Sequence, residues 1–176
     1  MAQVESTARA TSDPQARKQV LKQIADEGIE FLLLWFTDIE GHLKSFAVTP
    51  SEIEAALDDG MGFDGSSITG FNAIEESDMV AIPDPATFRM MPGGEGEAKV
   101  GRMICDIVNP DGTPFAGCPR STLKRIIALA AARGFSMRAG PEAEFFLFQR
   151  RDGEPTTETH DSGGYFDLTP VDLGED

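Results

Sequence analysis

The chain has 176 residues, 40% of them hydrophobic, enough to bury a real core in one large or two small domains. Fifteen lysines and arginines against thirty aspartates and glutamates leave a formal charge of −15, which argues against nucleic acid or an anionic membrane as a partner. The longest apolar run, IEFLLLWF, is too short to span a bilayer, and MAQVESTARATSDP has no apolar signal core. Two cysteines without CxxC spacing, Cys105 and Cys118, fit a reduced cytoplasmic setting.

Residues 1–14 are mostly small and polar and are expected to form a flexible tail. Asp13 as N-cap, Pro14 at the first helical position, Val20, Leu21 and Ile24 on one side and Gly28 as terminator predict an amphipathic helix over 14–27. IEFLLLWFTD and LKSFAVT flank IEGH and predict two strands joined by a short turn, the first buried on both faces. Thr49, Pro50 and Glu52 have capping-box spacing and open a second helix that carries Ile53, Ala56 and Leu57 inward until Gly60.

FDGSSITGF, residues 63–71, is polar and glycine-rich between apolar positions and reads as a tight turn built on Asp64-Gly65. No Gly-Lys-Ser/Thr follows, so a phosphate-cradling loop has little support. IEESD comes next and places Asp64, Glu75, Glu76 and Asp78 within fifteen residues. DMVAI and AKVGRMICDIV are strand candidates separated by the loop PDPATFRMMPGGEGE, and NPDGTPF is a turn and a domain boundary. From Pro119 a third helix carries Leu123, Ile126, Ile127 and Ala130 to Gly134.

AGPEAEFFLF, residues 139–148, then puts two acids at the head of a core-like strand. Side chains alternate along a strand, so Glu142 and Glu144 share a face with Phe146 and Phe148, while Phe145 and Leu147 line the other. Apolar residues on both faces predict a buried strand. The two glutamate Cα atoms are then about 6.6 Å apart, and like charges beside a core are costly without a cation between them. A strand end reaching solvent, a magnesium or manganese site, and a glycosidase carboxylate pair all fit the spacing, and the pair alone does not choose among them. Beyond it, GGYFDL reads as a strand and Pro170, Asp172, Glu175 and Asp176 as a helix start with no helix after it. Residues 151–176 hold eight acids against one arginine, Arg151, an imbalance that suggests the front part of a longer chain.

FDGSSITGFNAIEESDM, AGPEAEFFLF and GGYFDLTPVD, in this order and spacing, resemble the N-terminal third or so of a type I glutamine synthetase, from about residue 15 onward. The resemblance implies an α+β chain, with a β-grasp domain over 15–112 and, over 113–176, the first helix and antiparallel strands of a catalytic domain. It implies ligation of ammonia to glutamate with ATP through a γ-glutamyl phosphate. Glu142 and Glu144 would each bind one ion of a two-ion Mg2+ or Mn2+ site, Asp64 would hold ammonium and take a proton from it, and Ser67 and Tyr165 would shape the ammonium pocket. The FDGSS loop would come from the neighbouring subunit of a homo-oligomer, usually a dodecamer of two stacked hexameric rings.

The segment between FFLF and GGYFD is short, as in the type I subgroup that lacks an insertion there, which implies no control by adenylylation. His42 and His160 match no ligand position and read as surface histidines. The family's other metal ligands, ATP-binding segment and substrate-gripping arginines lie beyond residue 176, so the chain alone is expected to be inactive and to bind metal weakly. A naturally short paralogue that docks on a synthetase ring as a regulatory or interaction subunit is the alternative.

Overall fold

The computed structural model describes residues 13–68, 77–94 and 96–174, so the tail up to residue 12 and Glu75, Glu76, Glu175 and Asp176 lie outside the described residues. The chain divides into two compact units, Met1–Ser136 and Met137–Asp176.

In the first unit, helix α1 spans Pro14–Glu27. The Asp13 carboxylate accepts the Gln15 N–H at 2.9 Å, Pro14 occupies a position that needs no donor, and Gly28 ends the helix at φ 66°. Strands β1 (Phe31–Thr37) and β2 (Leu43–Val48) form the expected hairpin. Helix α2 runs Ile53–Asp59, and the Glu52 carboxylate before it accepts the Thr49 N–H at 3.2 Å, one half of the expected capping box. Val20 and Ile24 of α1 and Ile53, Ala56 and Leu57 of α2 join Leu32, Leu34 and Phe36 in one core. The helices therefore cover one face of the sheet.

That one-sided cover corrects the expectation that β1 is buried on both faces. Leu32, Leu34 and Phe36 are buried, whereas Leu33 and Trp35 are half-buried and Phe31 is exposed. Trp35 keeps partial cover from the Arg102 guanidinium, 5.3 Å from its ring centroid.

Strand β3 (Met61–Asp64) leads into a 3-10 turn, Gly65–Ser67, and strands β4 (Asp78–Met90) and β5 (Val100–Val108) complete a sheet of order β2-β1-β5-β4-β3. The central β1–β5 pair is parallel and the other pairs are antiparallel. The start of the expected loop PDPATFRMMPGGEGE, PDPATFRM, is instead the second half of β4. Pro83 pairs with Cys105 and Asp84 with Ile104, the ladder slips, and Arg89 resumes against Arg102. At the slip the Thr87 hydroxyl accepts the Ile104 N–H at 2.8 Å, a side-chain acceptor in place of a ladder carbonyl. The NPDGTPF turn closes on Asn109 N–H to Thr113 C=O and Gly112 N–H to Asn109 C=O, each 2.8 Å.

Helix α3 forms over Pro119–Ala131 as expected, but none of its residues is buried. Leu123, Ile126, Ile127 and Leu129 are each about half exposed.

In the second unit, strands β6 (Phe148–Arg151) and β7 (Glu154–Thr159) form a hairpin through Asp152 and Gly153, at φ 53° and 85°. The buried strand expected over 139–148 is corrected: the ladder starts at Phe148, and Phe145 and Phe146 are 75% and 77% exposed. A strand needs a partner for its N–H and C=O groups, and among the described residues only β7 supplies one, reaching back as far as a His160 N–H to Leu147 C=O bond of 3.2 Å. GGYFDL is likewise no strand, because the Asp167 carboxylate accepts the Gly164 N–H at 2.9 Å and closes a local turn. After Pro170 the chain makes a single turn on the Leu168 carbonyl. His160 is partly buried, with Nε2 3.3 Å from Asp161, rather than a plain surface residue.

The burial contrast predicts unequal costs of truncation. Leu34→Ala, at a fully buried site, should lower unfolding stability by about 2–5 kcal/mol. Leu123→Ser, on the exposed side of α3, should change it by less than about 1 kcal/mol. Urea titrations of the two variants followed by circular dichroism measure both values.

Candidate functional site

Asp64 owes its position to Gly65. The Gly65 N–H donates to the Ser77 carbonyl at 2.7 Å, and a Cβ at Gly65 would fall 2.5 Å from Met79 Cγ and 3.0 Å from that same carbonyl. Only glycine lets the chain pass so close to β4. The preceding residue, Asp64, then ends β3 opposite Asp78 with its side chain in solvent.

The carboxylate is held from its own loop. Asp64 Oδ1 accepts the Ser66 N–H at 2.9 Å and the Ser66 hydroxyl at 2.6 Å. The Ser66 hydroxyl first, then its N–H and the Ser77 side chain, hold Asp64 below the usual carboxylate range, against a smaller opposing effect of burial. Asp64 is thus an exposed, oriented anion at neutral pH. Ser67 lies at the end of the same 3-10 turn, exposed.

Glu142, Glu144 and Tyr165 belong to the second unit. Both glutamates are exposed and lie outside any ladder. No described cation or N–H donor engages either carboxylate. Two hard, unpaired oxygen donors two residues apart fit part of a magnesium or manganese shell, which needs more oxygens than this pair supplies. Tyr165 is 92% exposed and packs on Phe166, with centroids 4.3 Å apart. Asp64 and Ser67 are thus together in one unit, Glu142 and Glu144 together in the other.

Sequence reasoning missed Ser66 and Ser77 as the groups that set Asp64. The Asp-x-Ser spacing of an Asx turn is the signal that points to Ser66; Ser77, across the sheet, has none. It also missed the cluster of Asp38, Glu40 and His42 in the β1–β2 turn, whose donor atoms lie within 4.8 Å of one another. Asp38 is fully buried, and its Oδ1 accepts the Glu40 and His42 N–H groups at 3.0 and 2.9 Å. Its Oδ2 lies 3.2 Å from the Lys44 ammonium. Burial pushes the Asp38 carboxyl up, but the His42 N–H, Lys44 and the Glu40 N–H outweigh it and hold it below its ordinary value. Lys44 already supplies the positive charge, so the cluster locks the hairpin turn.

A mixed sheet with α1 and α2 on one face and α3 held by Asp84 and Asp106 on the other, carrying an anionic loop at its β3 edge, is an α+β architecture with the sheet plan of a β-grasp domain. The chain matches the family model described as the glutamine synthetase β-grasp domain over residues 28–110, and that of the glutamine synthetase catalytic domain over 116–176. It is 49% identical over 160 residues to the glutamine synthetase of Clostridium saccharobutylicum, covering 90% of this chain and 36% of that one. With the glutamine synthetase of Halobacterium salinarum it shares 47% identity over 174 residues, covering 98% of this chain and 38% of the relative. A solved Plasmodium falciparum glutamine synthetase has the same fold, with a TM-score of 0.60 and 24% identity over 66% of this chain and 23% of that one. The chain belongs to the glutamine synthetase family, and it spans a little over a third of the length of these curated relatives. None of its described helices is long and apolar enough to cross a membrane.

The bonds at Asp64 predict its titration. Its midpoint, read by NMR of the side-chain carboxyl carbon, should lie below the ordinary aspartate value of about 3.9, and Ser66→Ala should raise it. A depressed folded-state pKa contributes stability that is present above the unfolded pKa and lost as pH falls through the folded one. The wild type should therefore lose more stability than Ser66→Ala between neutral pH and acid.

Proposed function

We propose that this chain is the N-terminal part of an ATP-dependent glutamate–ammonia ligase, with the β-grasp domain over 15–112 and the start of the catalytic domain over 113–176. The observation that carries the reading is Asp64: an exposed carboxylate, held ionised and oriented on a glycine-framed turn, in a chain that matches both glutamine synthetase domains.

In this reading Asp64 holds ammonium beside the acyl centre, and Ser67 and Tyr165 shape the pocket around it. A carboxylate kept below its usual pKa is a strong cation holder and a weak base. Asp64 takes one proton from ammonium, and the freed nitrogen lone pair bonds to the acyl carbon. A second proton leaves the nitrogen of that adduct to solvent, and the carbon–oxygen bond to phosphate breaks with its electron pair on the departing phosphate. Glu142 and Glu144 each ligate one of two magnesium or manganese ions, which when bound neutralise the phosphate and carboxylate oxygens that phosphoryl transfer brings together. The Asp64 loop serves the site of a neighbouring subunit in a homo-oligomer of stacked rings, in the cytoplasm.

Two tests use the chain extended to the length of its relatives. Glu142→Ala and Glu144→Ala should each weaken manganese binding by removing a ligand from one ion, as read by calorimetric titration. Unchanged titrations in both would make the pair ordinary exposed acids.

The second test separates the subunits. Asp64→Ala and Glu142→Ala are each expected to be nearly inactive. When equal amounts are unfolded and reassembled together, an intact Asp64 meets a neighbour's intact Glu142 at about one quarter of the interfaces of a head-to-tail ring. Glutamine formation should rise well above either parent, towards about a quarter of wild type. If both residues serve one site from one chain, mixed rings, verified by mass spectrometry, recover nothing.

A further inference from the structure

Helix α3 is attached to the sheet in an unusual way. Helices α1 and α2 each contribute buried side chains, and α3 contributes none. With Leu123, Ile126, Ile127 and Leu129 about half exposed, apolar burial beyond the core residue Cys118 at its N-cap does not fix it.

Charge does. Arg120, in the first turn, donates from Nη1 to Asp106 Oδ1 on β5 at 2.9 Å and from Nη2 to Asp84 Oδ2 on β4 at 2.6 Å. Lys124, one turn later, pairs with the second oxygen of Asp106. All four side chains are at most half exposed, and Asp106 is only 14% exposed, so solvent screens these bonds less than surface pairs. The ladder slip in β4 aims the acceptor: Asp84 Oδ1 is taken by the Ala86 N–H at 3.1 Å, which leaves Oδ2 for Arg120. Two carboxylates and two cations balance. A planar guanidinium reaches two acids on two strands at fixed angle, which a lysine at the same position does not.

The acids lie in the β-grasp match and the cations in the catalytic-domain match. Strand β4, which carries Asp84, also pairs with β3 through Asp78 opposite Asp64. We propose that Arg120 is a positioning residue: it pins the first helix of the catalytic-domain match to the sheet whose edge presents Asp64. This rests on the proposed synthetase reading. Loosening the pin changes where Asp64 is carried and leaves the bonds within its loop, and the Glu142–Glu144 segment, unaltered.

Two measurements test it. By hydrogen exchange on the 176-residue chain, Arg120→Ala should lose protection over residues 119–131 while β4 and β5 keep theirs; unchanged protection of α3 overturns the pin. In the chain extended to the length of its relatives, Arg120→Ala should raise KM for ammonium about tenfold or more and leave KM for ATP within about twofold. Arg120→Lys, reaching one acid, should recover part of the loss. Equal loss across all parameters, or none, overturns the positioning role. If the extended wild-type chain makes no glutamine, the synthetase reading fails and the positioning role with it, while the exchange result still decides the pin.

Discussion

The described sheet depends on one ladder, β4 against β5. β5 is the only described strand that joins the β1–β2 hairpin to the β3–β4 pair, through its parallel edge to β1 and its antiparallel edge to β4. Met79, Ala81, Met103, Cys105 and Ile107 fill its inner face and are essentially inaccessible. Cys105 is buried there deeply enough that desolvation pushes its thiol well above the ordinary value, so it acts as a small apolar residue rather than a nucleophile. Other parts of the first unit use this ladder: β3 is registered by β4, Gly65 is wedged against Met79, and Asp84 and Asp106 project from the opposite face towards α3.

The acidity of the chain is partly structural. Among the described residues seven aspartates, Asp13, Asp38, Asp64, Asp84, Asp111, Asp161 and Asp172, accept the backbone N–H two residues later at 2.8–3.2 Å. One device thus caps α1, locks the β1–β2 turn, shapes the Asp64 loop, supports the slip in β4 and closes the NPDGTPF turn. Solubility alone does not account for these. The Ser66 and Thr113 hydroxyls chiefly hold Asp64 and Asp111 below the ordinary value, the Leu173 N–H does so for Asp161, and at Asp38 burial pushes the other way but the His42 N–H and Lys44 help outweigh it. Each therefore favours the fold above its unfolded pKa and loses that effect as pH falls.

Where local bonds decide the structure, the sequence was legible. Asp13-Pro14 and Gly28 bracket α1 to the residue, and Thr49 with Glu52 marks the entry to α2. Pro83 and Pro85 misled, because prolines usually end strands, and the slip of β4 lets the ladder pass them with Thr87 as substitute acceptor. The Asp152-Gly153 dipeptide is a strong turn signal, and the hairpin it closes is short and polar beside the apolar run 145–148 that dominates the local pattern. In the candidate site, Asp64 was found through its motif, whereas Ser77 is brought to it only by the β3–β4 register, a long-range fact that no spacing encodes.

The same distinction separates the two halves of the proposed site. Asp64 is preorganised by groups within a few residues of it and on the adjacent strand, so its charge and direction are set by the first unit alone. Glu142 and Glu144 have no such frame: their backbone lies outside the β6–β7 ladder, and no described donor or cation meets their carboxylates. Like charges two residues apart repel, and the repulsion falls when cations reach them. Binding of a divalent ion would therefore order this segment as well as neutralise it, so metal affinity there is the intrinsic ligation energy less the cost of ordering the chain. Asp64 pays no comparable ordering cost, which makes the Asp64 half of the proposed site the more rigid of the two.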